Sequence, residues 1–126
     1  MPLARVDLAQ GKSADYRRVI GEVVYGAMIE TLNVPKGDRF QVITEHPAED
    51  FVFDATYLGI QRTADCVFIQ VTLNEGRTVD KKRAFYEAIA DGLHQRLKIR
   101  REDVLINLVE VKKENWSFGN GEAQYA

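Results

Sequence analysis

Along residues 16–32, Tyr16, Val19, Ile20, Val23, Val24, Ala27, Met28, Thr31 and Leu32 recur at spacings of three and four. That period predicts a helix with one broad apolar face. Ser13 stands just ahead of it, where a hydroxyl can cap the first turn. Residues 3–8 before the helix and the stretch RFQVIT after it read as short strands, with Pro35 and Gly37 breaking the chain between. The same order returns downstream. CVFIQVTL reads as a strand, and Thr78 caps a helix lined by Ala84, Phe85, Ala88, Ile89, Leu93 and Leu97. VLINLVEV forms the last strand.

The two halves superpose when the chain is shifted by 65 positions. Leu8, Gly11, Asp15, Arg18, Glu22 and Leu32 then lie over Leu73, Gly76, Asp80, Arg83, Glu87 and Leu97, with no gap. Asp38 lies over Asp103. A recurring unit of this size is an internal repeat, covering about residues 2–44 and 67–109. Strand, crossover helix and strand imply parallel pairing with a right-handed crossover. The expected fold is therefore α/β (α+β). Two tandem β-α-β units form a four-stranded sheet with two helices on one face. Residues 1–126 make one domain, with a linker between the units and a tail over 112–126. The linker, HPAEDFVFDATYLGIQRTAD, reads as extended, with at most one short strand. Apolar side chains fall on both faces of the third and last strands. A helix-free face of that kind predicts burial against other subunits.

Composition narrows the class. Of 126 residues, 45% are hydrophobic and 29% charged, which is the balance of a globular domain rather than a disordered chain. A net charge of -2 does not suggest a nucleic-acid partner. No apolar run is long enough to span a membrane, and the first residues lack the apolar stretch of a secretory leader. The expected location is cytoplasmic. Cys66 is the one cysteine and sits in an apolar run, as a buried structural thiol would.

Few residues carry obvious chemistry. His46 and His94 are the two histidines, and neither has metal-ligand spacing. NEGRT is too short for a phosphate loop. It reads either as a tight turn or as a means of placing Arg77 at a helix start, where guanidinium and helix dipole both favour an anion. Asp38 reads as turn chemistry or as a site carboxylate. Trp116 and Phe118, beside glycines in a polar tail, cover either a neighbouring subunit or the mouth of a site. Pro2 is either incidental or, with Met1 removed, a secondary amine that no side chain supplies.

PLARVDLAQGKS at the start, VPKGDRFQVITEH in the middle, FYEAIADGL in the second helix and NWSFGNG near the end share a further property. Over residues 2–126 the chain resembles the tautomerase superfamily, especially its longer-chain branch near malonate semialdehyde decarboxylase. The resemblance implies a pair of β-α-β units assembled as a homo-oligomer, usually a trimer. It implies a catalytic Pro2 exposed by loss of Met1, with Arg77 and Asp38 as further catalytic residues. Partial burial and a nearby guanidinium would make such an amine a neutral general base near working pH. Arg77 would hold a substrate carboxylate or steady an enolate oxygen. Trp116 and Phe118 would wall the pocket. The branch carries two arginines around the end of the third strand; here one is Arg77 and the other position is Asn74, an uncharged donor. The dehalogenase-like relatives use an acidic tail residue, for which Glu114 and Glu122 are present. The implied function is cofactor-independent keto–enol tautomerisation of a small 2-oxo acid, without a metal. The alternatives are decarboxylation of a 3-oxo acid, a hydratase reaction on an unsaturated acid, and a non-catalytic oligomeric binding protein.

Overall fold

The computed structural model describes residues 2–126. Met1, whose removal the resemblance requires, lies outside the described residues. The elements are β1 (Leu3–Ala9), α1 (Ala14–Leu32), β2 (Gln41–His46), β3 (Val67–Asn74), α2 (Val79–Leu97) and β4 (Val104–Val111), with short 3-10 turns between them. One sheet holds all four strands in the order β2-β1-β3-β4. Each helix links a parallel pair, β1 with β2 and β3 with β4, and the two pairs meet along antiparallel β1 and β3. This is the expected arrangement of two tandem β-α-β units.

Positions 65 apart adopt matching conformations. Gly11 and Gly76 turn the chain at φ 118° and 120°, a region open to glycine and closed to most other residues. The Ser13 hydroxyl accepts from the Tyr16 N–H at 3.0 Å, and Thr78 accepts from Lys81 at 3.2 Å. Both helices end on a left-handed residue, Asn33 and Lys98, which stops the ladder without a proline.

Alternation along the strands sets the core. Ala4, Val6 and Leu8 of β1 and Val67, Ile69, Val71 and Leu73 of β3 point at the helices and are buried. They meet Ile20, Val24 and Met28 of α1 and Phe85, Ile89 and Leu93 of α2. Full burial of each large side chain contributes roughly 1.5–3 kcal/mol. The helices touch closely at Gly92, where a Cβ would fall 2.7 Å from Val23 Cγ1.

The helix-free face differs in two ways from the apolar surface expected. A polar row crosses its middle, because Arg5, Gln70 and Asn107 are cross-strand neighbours, and Gln70 Nε2 donates to Asn107 Oδ1 at 2.9 Å. One end is covered by the chain itself: Phe51 packs on Phe68 with ring centres 4.5 Å apart, and Phe53 reaches the same ring edge-on. There His46 Nε2 lies 2.6 Å from Asp7 Oδ1. Val42, Leu105 and Val109 remain about 40% exposed on the rest of the face.

Residues 47–66 contain no strand. They run through two 3-10 turns, Ala48–Asp50 and Tyr57–Gly59, because polar residues interrupt the aromatic pairs that suggested one. Asp103, fully buried at the start of β4, anchors this connection by accepting from both Thr63 N–H and Thr63 Oγ1 at 2.6 Å. Hydrogen bonds to a charged group contribute about 1.5–3 kcal/mol each. Cys66 is buried beside it, and burial pushes its thiol up to about 11, so it stays protonated at neutral pH. Among the described residues no helix is long and apolar enough to cross a membrane.

Candidate active site

β1 begins between two others, so its first residues open at one end of the sheet. Pro2, buried, and Leu3 form the floor of a cavity of about 180 Å³ at that end. Phe40 walls one side. Its carbonyl accepts from the Ala4 N–H at 3.0 Å, which ties the residue before β2 to the start of β1. Trp116, Ser117 and Phe118 close the other side. The structure thus brings Pro2, Trp116 and Phe118 together from opposite ends of the chain.

The tail is folded back on itself to make that wall. Trp116 and Phe118 stack with centres 5.6 Å apart, and Tyr125 meets Phe118 edge-on at 5.0 Å. Gln124 accepts from the Phe118 N–H and donates to the Gly119 carbonyl, both at 3.0 Å. The indole Nε1–H of Trp116 donates to Asn74 Oδ1 at 2.8 Å. Asn74, 9% exposed at the end of β3, orients Trp116 through this bond, but it lines a neighbouring cleft with Glu114 and Tyr125 rather than the Pro2 cavity.

Arg77 follows Asn74 on the turn into α2. Its Nη1 donates to the Asn74 carbonyl at 3.1 Å and its Nη2 to the Leu32 carbonyl at 3.3 Å. The second bond places a cation on the negative end of α1. The guanidinium is half-buried on these two carbonyls, next to the residue that orients Trp116, and it does not line the cavity. Asp38 also lies outside the lining. It is half-buried in the turn before Phe40, with its N–H donating to the Pro35 carbonyl at 3.2 Å. A wider groove of about 520 Å³ runs between α2 and β4, lined by Arg83, Tyr86, Glu87, Arg101, Val104 and Ile106. It is shallow and none of Pro2, Asp38, Arg77 or Trp116 lines it, so the smaller cavity is the better candidate.

Leu3, Phe40 and Ser117 were not singled out from the sequence. The signal for Phe40 was present: a large aromatic directly before a strand, here 52% exposed. Ser117 falls within NWSFGNG, one of the stretches that carry the resemblance.

A family model described as a tautomerase enzyme matches residues 38–119, and a second of the same description matches residues 2–60. A probable tautomerase of Bacillus subtilis, YusQ, is 40% identical over 124 residues, which cover 98% of each chain. The crystal structure of the FG41 malonate semialdehyde decarboxylase inhibited by 3-bromopropiolate superposes with a TM-score of 0.91 at 37% identity, over 98% of this chain and 93% of that one. A second malonate semialdehyde decarboxylase, whose structures were related to decarboxylase and hydratase activities, gives 0.91 at 30% identity over 98% and 95%. With a fold of two β-α-β units and matches that span its whole length, this chain belongs to the tautomerase family of enzymes.

Proposed function

We propose that the protein is a cofactor-independent keto–enol tautomerase of a small 2-oxo acid, with the Pro2 amine, freed by removal of Met1, as general base. The observation that carries this reading is a buried Pro2 on the floor of a small cavity walled by Phe40, Trp116 and Phe118. An amine with apolar walls around it holds a proton less well than one in water, which favours the neutral base. At about 180 Å³ the cavity is smaller than the roughly 300–1,000 Å³ of drug-sized sites, so it suits a small acid. Neutral Pro2 takes a proton from the carbon beside the carbonyl and returns one at the other end of the enol. Arg77 is assigned the carboxylate or the enolate oxygen, a role that requires its side chain to leave the Asn74 and Leu32 carbonyls it now contacts. Asn74 serves by orienting Trp116. The deciding assay is ketonisation of the enol of phenylpyruvate by protein that mass spectrometry shows to lack Met1. A fast rate supports the reading, and a rate at background removes it.

The similarity to two decarboxylases favours one second reading, decarboxylation of a 3-oxo acid. In that reaction Pro2 acts as a cation that polarises the carbonyl, with Asp38 assisting. Asp38→Asn separates the two. Decarboxylation of malonate semialdehyde is expected to fall by about 10²-fold or more if Asp38 takes part in proton transfer, with ketonisation affected less. Equal losses in both reactions would mean that the substitution acts through the loop alone.

The matching conformations 65 residues apart support one domain built from a duplicated unit. The partly apolar helix-free face supports a homo-oligomer, with a trimer expected. Light scattering is expected to report the mass of three chains, and a monomer at micromolar concentration would overturn this.

A further inference from the structure

The turn between α1 and β2 carries both Asp38 and Phe40, and Tyr25 and Gln41 are among the side chains that fasten it to the helix. Tyr25, half-buried on α1 and away from the cavity, accepts the Gly37 N–H on its hydroxyl at 2.7 Å. Arg39 lies over the Tyr25 ring, 4.9 Å from its centre, and donates to Gln41 Oε1 at 3.2 Å. Gln41 in turn donates to the Gly21 carbonyl at 2.9 Å. These bonds hold Gly37, Arg39 and Gln41, which alternate with Asp38 and Phe40 along the chain. The bond from Ala4 N–H to the Phe40 carbonyl then passes the position of the turn to the strand that begins at Pro2.

We propose that Tyr25 is a positioning residue for the cavity. Its hydroxyl sets where the turn stands on α1, and so sets the distance of the Phe40 wall and of Asp38 from Pro2. It touches no ligand. Its influence on which small acids the site accepts rests on the reading of that cavity as the active site. Removing the hydroxyl leaves the Gly37 N–H to water and frees the turn to drift, without emptying any part of the core. The effect belongs in ligand binding more than in the chemical step, because the Phe40 wall moves with the turn while β1 keeps its pairing with β3 from Leu3 onward.

The test is Tyr25→Phe, which keeps the ring and its contact with Arg39, with Tyr25→Leu as a deeper truncation. Amide hydrogen exchange is followed at Gly37, at Ala4 and at Ile69 in the core. Steady-state ketonisation of phenylpyruvate enol is measured on the same samples. In Tyr25→Phe, Gly37 and Ala4 are expected to exchange about tenfold faster, with Ile69 unchanged. KM is expected to rise about fivefold with kcat nearly constant, the equivalent of one lost neutral hydrogen bond. Tyr25→Leu moves the same readouts further. Faster exchange at Gly37 alone, with Ala4 and KM as in the parent, overturns the proposal, because Tyr25 then staples only its own turn. If the parent turns nothing over, the exchange data still decide. Faster exchange at Ala4 upholds the link from Tyr25 to the Pro2 strand while the tautomerase reading falls, and unchanged Ala4 removes both.

Discussion

Pro2→Ala is expected to lower kcat/KM for phenylpyruvate enol by about 10²- to 10⁴-fold, the usual range for loss of a positioned general base. The variant keeps a primary amine in place of the secondary one. It rotates freely where the ring of proline cannot, so the proton-accepting lone pair is no longer aimed into the cavity. The fold has little reason to change. β1 takes its register from Leu3 onward, beyond the substituted residue. Melting temperature and circular dichroism should match the parent. A retained Met1 is expected to abolish activity equally, since an amide nitrogen is not basic. Mass spectrometry of each preparation is therefore part of the measurement. If Pro2→Ala turns over at the parental rate in protein lacking Met1, the base lies elsewhere and the proposed mechanism fails.

Arg77→Ala is expected to cost about 10²–10³-fold in kcat/KM, comparable with removal of one charge-stabilising donor from an active site. Its structural share must be separated, because the guanidinium also binds the Leu32 and Asn74 carbonyls. For a half-exposed group that share sits near the low end of the 1.5–3 kcal/mol given for charged hydrogen bonds. Such a loss lowers the melting temperature by some degrees and leaves almost all molecules folded at the assay temperature. Activity lost there reads the chemistry. Arg77→Lys keeps the charge without the planar fork, and should recover stability more than rate. A drop in melting temperature with kcat/KM unchanged would assign Arg77 solely to the C-terminal end of α1.

The elements were legible because their signals are local. Ser13 and Thr78 announce helix starts through hydroxyls that reach the N–H three residues on, and both make that bond. The spacing of Val19, Ile20, Val23 and Val24 specifies which side of α1 is buried. The 65-residue offset carried the topology, since equal units take equal crossovers. The tail and the linker were less readable. Phe51, Phe53, Trp116 and Phe118 advertise that something is covered, but each ring packs on residues far along the chain. The face of β3 and β4 looked apolar because its polar row becomes visible only when Arg5, Gln70 and Asn107 are aligned across three strands.

By itself the sequence determined two β-α-β units, their capped helices, the buried side of each element and the tautomerase resemblance carried by Pro2, Asp38, Arg77 and the WSFG tail. All of these follow from periodicity, turn chemistry or residue identity within a few positions. The resemblance implied that Trp116 and Phe118 wall the Pro2 pocket, and tertiary structure supplied the cavity itself, with Leu3 and Phe40 in its lining. Only tertiary structure showed that Asn74 accepts from the indole, that Arg77 rests on the end of α1, and that Tyr25 fastens the turn bearing Asp38. Each of those facts depends on strand register and on the angle at which a segment returns to the sheet. They are set by packing summed over the whole core, and no short stretch of sequence encodes them.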